Sequence, residues 1–275
     1  RNIGQRVYKK YHNFNSIEKI MKRRVIPVLQ LNNKKLVKTK KLKDPMDIGD
    51  PINACRIFSE KNVSEIMICS ISASRSKVID FDHLEEICEE AFVPLSYIGG
   101  VDSLEDFDRL FSLGFEKVGV ERLIQTEPKA VLSAVEKYGS SSIVASITVH
   151  KSIFNRGYFS RPVNFVKQKL DIKDAVSKAL NLGCGEIIIH AANNEGTYSG
   201  NDADLINILP SELSEIPTVY MGGIKDTEDI TEIFETGYFT GVAVGSLCVF
   251  SGERSGILIR YPKQLSQWSM NTTEM

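Results

Sequence analysis

Two Gly-Gly pairs, 123 positions apart, are the residues of this 275-residue chain best suited to bind an anion. Gly99-Gly100 and Gly222-Gly223 each follow an apolar run and precede a helical pattern. Glycine at such a turn lets backbone N–H groups come close to a ligand, and a helix N-terminus favours negative charge. Gly245-Ser246 repeats the arrangement and adds a hydroxyl. We therefore predict phosphate binding at these residues, with a simple tight turn as the alternative at each pair.

A second group of polar residues follows the apolar run that ends at His190. Gly196 and Thr197 lie in an Asn-Asn-Glu-Gly-Thr segment, which is predicted to bind the same ligand or, alternatively, to be an Asx-rich turn before a helix. His190 could donate a proton, but the sequence identifies no carboxylate beside it, so a hydrogen-bonding role is the alternative. Glu195 and Lys38 are further candidates, and a solvated loop lysine is the alternative for Lys38.

The glycine pairs belong to a longer repeat of strand and helix units. Each pair is followed at matching offsets by Glu-Asp, Phe and Gly, which predicts two related halves. Eight units with a repeat at half the chain length predict an α/β fold, a closed (β/α)8 TIM barrel with a parallel sheet, rather than an open doubly wound sheet. The predicted strands are Val25–Leu31, Ile66–Ile71, Leu95–Ile98, Lys117–Val120, Ile143–Thr148, Glu186–His190, Thr218–Met221 and Gly241–Gly245.

Active sites of such barrels lie on the loops after the strands. Three long segments are predicted there, after strands 1, 5 and 6: Lys38–Gly49, His150–Val166 and Ala191–Asp204. The barrel is predicted to be one domain over residues 21–265. Residues 1–20 are interpreted as an extension, either a tag remnant or an upstream start, and residues 266–275 as a loose tail.

The composition is that of an ordinary globular protein. It is 42% hydrophobic and 25% charged, and its net charge of −1 gives no reason to expect nucleic acid or an anionic membrane as partner. No apolar run approaches the ~18 residues of a membrane span, and no secretory signal is evident, so we expect a cytoplasmic protein. The five cysteines are scattered without a CxxC or Cys/His cluster, so neither a disulfide framework nor a metal site is predicted, and no cofactor.

From about Arg23 to Phe250 the chain resembles the cyclase subunit of imidazole glycerol phosphate synthase, a two-phosphate (β/α)8 barrel of histidine biosynthesis. The resemblance implies a glutaminase subunit on the N-terminal face of the barrel and ammonia passing through the barrel. It also implies a bis-phosphorylated nucleotide intermediate that is cleaved and cyclised at the other face. The matching stretches include Arg24-Val-Ile-Pro-Val-Leu, Gly49-Asp-Pro, Ile71-Ser-Ala-Ser, Gly183-Cys-Gly-Glu-Ile and Glu195-Gly-Thr-Tyr-Ser-Gly.

The acid–base positions of that family are changed in this chain. The resemblance implies an aspartate at the end of strand 1 and another at the end of strand 5, where this chain has Gln30 and Thr148. Neither an amide nor a hydroxyl exchanges protons near pH 7 as a carboxylate does, and each loss typically costs a factor of ~10² to 10⁴ in rate. Glu121-Arg122 also replaces a small polar pair that helps to hold one phosphate. The family's lyase reaction is left open, with His190, Glu195 and Lys38 as remaining catalytic candidates.

The opposite end keeps the residues that the resemblance implies for an ammonia gate. One Arg, two Glu and one Lys are expected at the starts of four strands, and this chain has Arg24, Glu65, Lys117 and Glu186 there. The first inward position of a strand faces the axis of a closed barrel, so these side chains are predicted to meet in one ring. A polar plug that seals the base is the alternative.

Two further stretches resemble a paralogous branch associated with surface-polysaccharide gene products. These are Gly256-Ile-Leu-Ile-Arg-Tyr-Pro and Leu36-Val37-Lys38-Thr39. The branch implies a glutaminase-like partner that supplies ammonia for amidation of a sugar. We therefore predict a barrel subunit that channels ammonia to a sugar or glycan precursor and binds a phosphorylated small molecule, with a sugar amidotransferase as a further partner. The alternatives are an active cyclase of histidine biosynthesis and a non-catalytic scaffold or phosphate-ligand sensor.

Overall fold

Eight apolar runs form parallel strands that pair in chain order and close on themselves. The computed structural model describes residues 23–152, 157–163, 169–251 and 256–268. Strand 1 pairs with strand 2 on one side and with strand 8 on the other, which leaves the barrel without an unpaired edge. The predicted (β/α)8 TIM barrel is confirmed. Its strands 1 to 8 are Arg24–Asn32, Ile66–Ser70, Leu95–Ile98, Lys117–Val120, Ile143–Lys151, Glu186–Ala191, Thr218–Met221 and Gly241–Val244.

Side chains on strand 1 alternate between the barrel interior and the layer of helices outside. Val25 and Leu29 belong to the large apolar cluster that includes the helices, whereas Ile26 and Val28 belong to a separate cluster of strand residues. Burial of one such side chain contributes about 1.5–3 kcal/mol. The alternation puts Arg24 and Gln30 on the same side as Ile26 and Val28, at opposite ends of the strand. The other buried members of the inner cluster are Met67, Val144, Ile188, Val219, Met221 and Ala243.

Helices follow the strands and pack on the outside of the barrel. The described α-helices are Pro51–Glu60, Ile71–Ser76, Phe81–Cys88, Leu104–Ser112, Leu123–Thr126, Pro128–Tyr138, Ile172–Asn181, Ala203–Ile206 and Thr227–Glu235. The described 3-10 helices are Ser140–Ser142, Ser211–Glu215, Ser246–Cys248 and Lys263–Trp268. Short strands outside the barrel are Lys35–Lys40, Lys43–Gly49, Tyr158–Ser160, Phe250–Ser251 and Gly256–Ile257. None of the described helices is long and apolar enough to cross a membrane.

The two halves of the barrel share the hydrogen bonds that start equivalent helices. Ser103 Oγ accepts from the backbone N–H of Asp106 at 3.2 Å. At the matching position of the second half, Asp226 Oδ1 accepts from the N–H of Asp229 at 3.0 Å. The carboxylates of Asp106 and Asp229 each accept another backbone N–H from four residues earlier, at 2.9 Å in both halves. The sequence repeat is therefore a repeat of local hydrogen bonding, which satisfies N–H groups that a helix start leaves free.

The segment after strand 1 differs from the predicted loop. It forms an antiparallel hairpin of Lys35–Lys40 and Lys43–Gly49, and the first of these strands pairs with the end of strand 1. The hairpin buries both Lys38 and Thr39, each 4% exposed. The alternative of a solvated loop lysine at Lys38 is therefore wrong, because cross-strand pairing fixes the backbone with this side chain turned inward.

The described part of the C-terminal segment packs on the barrel. The Trp268 ring lies 5.9 Å from the ring of Phe234, and the backbone carbonyl of Trp268 accepts a hydrogen bond from Ser64 Oγ. Residues 1–20 and 269–275 lie outside the described ranges, so the predicted extension, the greater part of the predicted tail and the domain limits 21–265 stay predictions.

The repeated caps predict matched losses of stability. Ser103→Ala and Asp226→Ala should each lower the free energy of unfolding by about 1 kcal/mol, because each leaves a helix N–H without its side-chain acceptor. Urea denaturation of the full chain measures both. Thr231→Ala is the control, since the exposed Thr231 hydroxyl bonds only a carbonyl of its own helix. A loss of unfolding free energy in only one of these two variants would contradict the equivalence of the two caps.

Candidate functional site

Four charged side chains form a closed ring at the N-terminal end of the barrel. Arg24 Nη2 lies 2.6 Å from Glu186 Oε1, and Arg24 Nε lies 3.2 Å from Glu65 Oε2. Lys117 Nζ completes the ring, 3.1 Å from Glu65 Oε2 and 2.7 Å from Glu186 Oε2. The signs alternate around this charged ring, so it is neutral as a whole. The structure thus brings together the four residues predicted to meet there.

Burial and charge act in opposite directions on the charged ring. Both carboxylate side chains are 5% exposed, and the side chains of Arg24 and Lys117 are 18% and 20% exposed. Burial raises the pKa of Glu65, but Lys117 and Arg24 outweigh burial, and the pKa of Glu65 lies below its ordinary value. Burial lowers the pKa of Arg24, but Glu186 and Glu65 outweigh it, and the net pKa is raised. Arg24 and Glu65 are therefore held in their charged forms.

At the opposite end, the mouth of the barrel, Gln30 contacts a buried carboxylate. Gln30 Nε2 donates to Glu195 Oε1 at 2.9 Å, and Thr39 Oγ1 donates to Gln30 Oε1 at 3.3 Å. His190 Nε2 lies 3.5 Å from Glu195 Oε2, which is ion-pair range with poor geometry for a hydrogen bond. The expectation that His190 lacks a carboxylate neighbour is wrong. The loop after strand 6 turns Glu195 back over the mouth, a fold of the chain that the sequence does not show.

Thr148, the other changed position, also contacts a carboxylate. Glu121 Oε1 accepts the backbone N–H of Thr148 at 2.9 Å, and Glu121 Oε2 accepts the N–H of Val163 at 3.0 Å. Glu121 is thus a mouth residue, whereas it was predicted only to replace one of two phosphate-binding residues. A signal was present, because the period-2 alternation of strand 4 that begins at Lys117 reaches the mouth at Glu121.

The two mouth carboxylates have pKa values displaced in opposite directions. Burial raises the pKa of Glu121 above that of an ordinary glutamate, and the hydrogen bonds it accepts only partly compensate. Burial also raises the pKa of Glu195, but His190 and Lys38 outweigh burial and the net pKa is lowered. Carboxyl groups whose environments push their pKa values apart can serve as proton donor and proton acceptor. The mouth therefore retains groups capable of proton transfer, although not at Gln30 or Thr148.

The mouth residues enclose a pocket that is continuous with solvent. It holds about 620 Å³ of empty space and is lined by Gln30, Glu121, Thr148 and His190 among others. No three His, Cys, Asp or Glu side chains in the described ranges are grouped as metal ligands. Lys38 Nζ is buried and has no hydrogen-bond partner among the described residues. Burial lowers the pKa of Lys38, and Glu195 opposes that effect. An ammonium in this position is suited to bind an anionic ligand group.

The glycine pairs flank the mouth on opposite sides. We call the pocket at Gly99 and Gly100 the first cradle; it holds about 420 Å³ of empty space. The second cradle, of about 330 Å³, is lined by Gly196, Gly222, Gly223, Gly245 and Ser246. Positive φ and close backbone contact both require glycine at equivalent positions. φ is +77° at Gly100 and +85° at Gly223, and a Cβ on Gly223 would lie 2.3 Å from a neighbouring carbonyl.

Thr197 is placed differently from the glycines. Its Oγ1 donates to the carbonyl of Asn194 at 2.7 Å and lies 2.7 Å from Ser199 Oγ. The hydroxyl thus belongs to the turn between residues 194 and 199, as the Asx-rich alternative expects. Phosphate binding at Thr197 and at both cradles stays a prediction.

The lowered pKa of Glu65 predicts how the charged ring responds to acid. The ionised carboxylate contributes stability above the unfolded-state pKa of about 4.3, and this contribution is lost as pH falls through the lower folded-state pKa. Glu65→Gln should therefore be less stable than wild type at neutral pH but should lose less unfolding free energy below about pH 4.5. Urea unfolding at a series of pH values across this range measures the unfolding free energies of wild type and Glu65→Gln. The exposed Glu116→Gln is the control. Equal acid slopes for wild type and Glu65→Gln would contradict the assignment.

Comparison with known proteins agrees with the architecture. The family described as histidine biosynthesis protein matches residues 24–254. The provisionally named imidazole glycerol phosphate synthase subunit hisF3 of Vibrio vulnificus is 34% identical over 90% of this chain and 95% of that protein. The provisionally named hisF2 subunit of Pseudomonas aeruginosa is 35% identical, over 88% of this chain and 97% of that protein. The HisF subunit of Streptococcus mutans is 28% identical over 83% of this chain and 91% of that protein. The chain therefore belongs to the histidine biosynthesis protein family and is similar to proteins named as subunits of imidazole glycerol phosphate synthase.

Proposed function

We propose that this chain is the cyclase-like barrel subunit of a glutamine amidotransferase system. It pairs with a glutaminase subunit on its N-terminal face, admits ammonia at the charged ring and delivers it to the mouth for amidation of a sugar or glycan precursor. The observation that carries this proposal is the combination of an intact charged ring with a changed mouth. Gln30 and Thr148 occupy the positions where the family resemblance implies aspartates.

The charged ring and the interior above it favour passage of neutral ammonia. Two carboxylates neutralised by two cations offer hydrogen-bonding groups without a net charge that would retain ammonium. Above the ring the interior is apolar, with Ile26, Met67 and Ile188 in one cluster. An ammonium ion loses far more hydration energy than neutral ammonia on entering such surroundings. A charged ring followed by an apolar interior therefore supports selection for neutral ammonia over ammonium.

The relatives that carry a provisional name are more similar to this chain than those named HisF without qualification. Identity is 34–35% to the subunits named hisF3 and hisF2 and 28% to the Streptococcus mutans HisF. Together with the polysaccharide-branch resemblance of Leu36-Val37-Lys38-Thr39, this favours a glycan precursor as the nitrogen acceptor.

The second cradle supports a phosphorylated ligand. A Cβ built on Gly245 would lie 2.1 Å from Lys38 Nζ, so the ammonium lies directly above the glycine of Gly245-Ser246. Backbone N–H groups, a hydroxyl and a lysine amine without a hydrogen-bond partner among the described residues together match the oxygens and charge of a phosphate. The cradle next to strands 7 and 8 is also where barrels of this type commonly hold phosphate.

The N-terminal face carries an exposed aromatic side chain suited to a protein partner. Phe92 is 79% exposed and lies between helix Phe81–Cys88 and strand 3, on the loop that leads into the N-terminal end of that strand. Exposed aromatics of this kind are the residues that most often anchor interfaces. The position of Phe92 supports docking of the glutaminase on the same face as the charged ring.

The proposed ammonia route predicts coupling between the two subunits. Adding the barrel subunit to its glutaminase should raise glutamine turnover by about 5-fold to 150-fold, the range expected for a coupling energy of 1–3 kcal/mol. Lys117→Met should lower delivery of ammonia through the charged ring, seen as ammonia released to solvent. The exposed Lys129→Met serves as the control. No stimulation by the wild-type barrel, with complex formation verified, would overturn the proposal.

Docking on the N-terminal face predicts a specific loss of affinity. Phe92→Asp should weaken the complex with the glutaminase by about tenfold or more, because a charge replaces a desolvated aromatic anchor. Isothermal titration calorimetry measures the affinity. Val78→Asp is the matched control, since Val78 is 70% exposed but follows helix Ile71–Ser76 at the opposite end of the barrel. Equal affinities of the two variants would contradict docking at Phe92.

One observation favours a second candidate function, an active cyclase of histidine biosynthesis. Glu195 and Glu121 bring carboxylates to Gln30 and Thr148, where the resemblance implies aspartates. Ammonia-dependent turnover of the bis-phosphorylated nucleotide intermediate, lost in Glu121→Gln and in Glu195→Gln, would establish this candidate. Absence of turnover with stimulation of the glutaminase retained would exclude it and leave the first proposal standing.

A further inference from the structure

The two cradles are alike in backbone but differ in the charges that face them. At the first cradle the lining includes Glu121, whose two oxygens are fixed by the backbone N–H groups of Thr148 and Val163. This carboxylate cannot turn away without leaving two buried N–H groups unpaired. A phosphate in the first cradle would therefore share its pocket with Glu121, which repels it whenever the carboxyl group is ionised.

The cation at the first cradle does not compensate for Glu121. Arg122 lines the same pocket, but its Nη2 donates to Asp102 Oδ1. Lys77 Nζ lies 3.4 Å from the other oxygen of Asp102. Asp102 thus faces two cations, and a phosphate in the first cradle would have to compete with Asp102 for Arg122.

The second cradle has the opposite character. Lys38 does not line this pocket itself, but its buried Nζ lies against Gly245, which does line it, and has no hydrogen-bond partner among the described residues. Glu195 also lines this pocket, but one oxygen accepts from Gln30 and the other faces His190. The carboxylate is therefore engaged toward the centre of the mouth, and Lys38, although attracted by it, has N–H groups left for a ligand.

We infer that the ligand of this barrel carries one phosphate group, held in the second cradle beside Lys38, and presents an unphosphorylated, hydroxyl-bearing sugar end to Glu121 in the first cradle. This inference rests on the proposed phosphorylated ligand and narrows its class. A carboxylate accepts hydrogen bonds from sugar hydroxyls, whereas it repels a second phosphate. The ligand thereby differs from the bis-phosphorylated intermediate implied by the family resemblance.

The backbone amides of the two cradles allow a direct test with inorganic phosphate as the probe. In the ¹⁵N-labelled full chain, the amide signals of Gly223 and Ser246 should shift as phosphate is added. The Gly100 signal should respond with a dissociation constant at least about tenfold higher, if at all. Wild type alone decides the question. Comparable binding at Gly100 would overturn the inference and leave the proposed ammonia transfer untouched.

Two variants test whether Glu121 and Lys38 cause the difference in phosphate affinity between the two cradles. Glu121→Gln should bring phosphate binding at Gly100 to within about threefold of that at Gly223, because it removes the repelling charge but not the side-chain volume. Lys38→Met should abolish the shifts at Gly223. The exposed Glu127→Gln, a few residues further on, should change neither. Failure of phosphate to shift Gly223 in wild type would overturn the inference together with the proposed phosphate site. In that case stimulation of the glutaminase would still test the remaining proposal.

Discussion

Closure of eight parallel strands with alternating side-chain direction is the constraint on which both ends of this molecule depend. Once strand 1 pairs with strands 2 and 8, its inward residues are fixed in the order Arg24, Ile26, Val28 and Gln30 from base to mouth. The same rule on strand 4 runs from Lys117 to Glu121. Charges at the strand starts therefore meet at the base, and polar groups at the strand ends meet at the mouth, with apolar layers between them.

Buried charged groups are stabilised differently at the base and at the mouth of the barrel. At the base, two cations and two carboxylates alternate in a ring of contacts between 2.6 and 3.2 Å, and each charge has partners of opposite sign on both sides. At the mouth, Glu121 is held by backbone N–H groups and Lys38 has no hydrogen-bond partner among the described residues. The four charges of the ring compensate one another, which suits the passage of a neutral molecule, although Arg24 Nε and Glu65 Oε1 lack hydrogen-bond partners among the described residues. A buried lysine without such a partner suits a ligand site.

The half-barrel repeat sets the backbone of the mouth but not its charges. Ser103 and Asp226 cap equivalent helices, and the two glycine pairs make equivalent turns. The hairpin that buries Lys38 belongs to the first half, yet it places the ammonium over Gly245 in the second. A symmetric scaffold thus carries an asymmetric site, since strand 1 of the first half lies beside strand 8 of the second and the Lys38 side chain reaches across that boundary.

The sequence by itself determined the eight strands, the capped helices and the glycine turns, because each depends on local periodicity. The four residues of the charged ring were predicted from the family resemblance, and their position at strand starts predicted that they meet. The sequence did not reveal that Glu195 lies against Gln30 and His190, that Glu121 holds Thr148 and Val163, or that the segment after strand 1 is a hairpin. These contacts join residues far apart in the chain. Only the closed barrel and the folding back of its loops decide which inward side chains meet across the mouth.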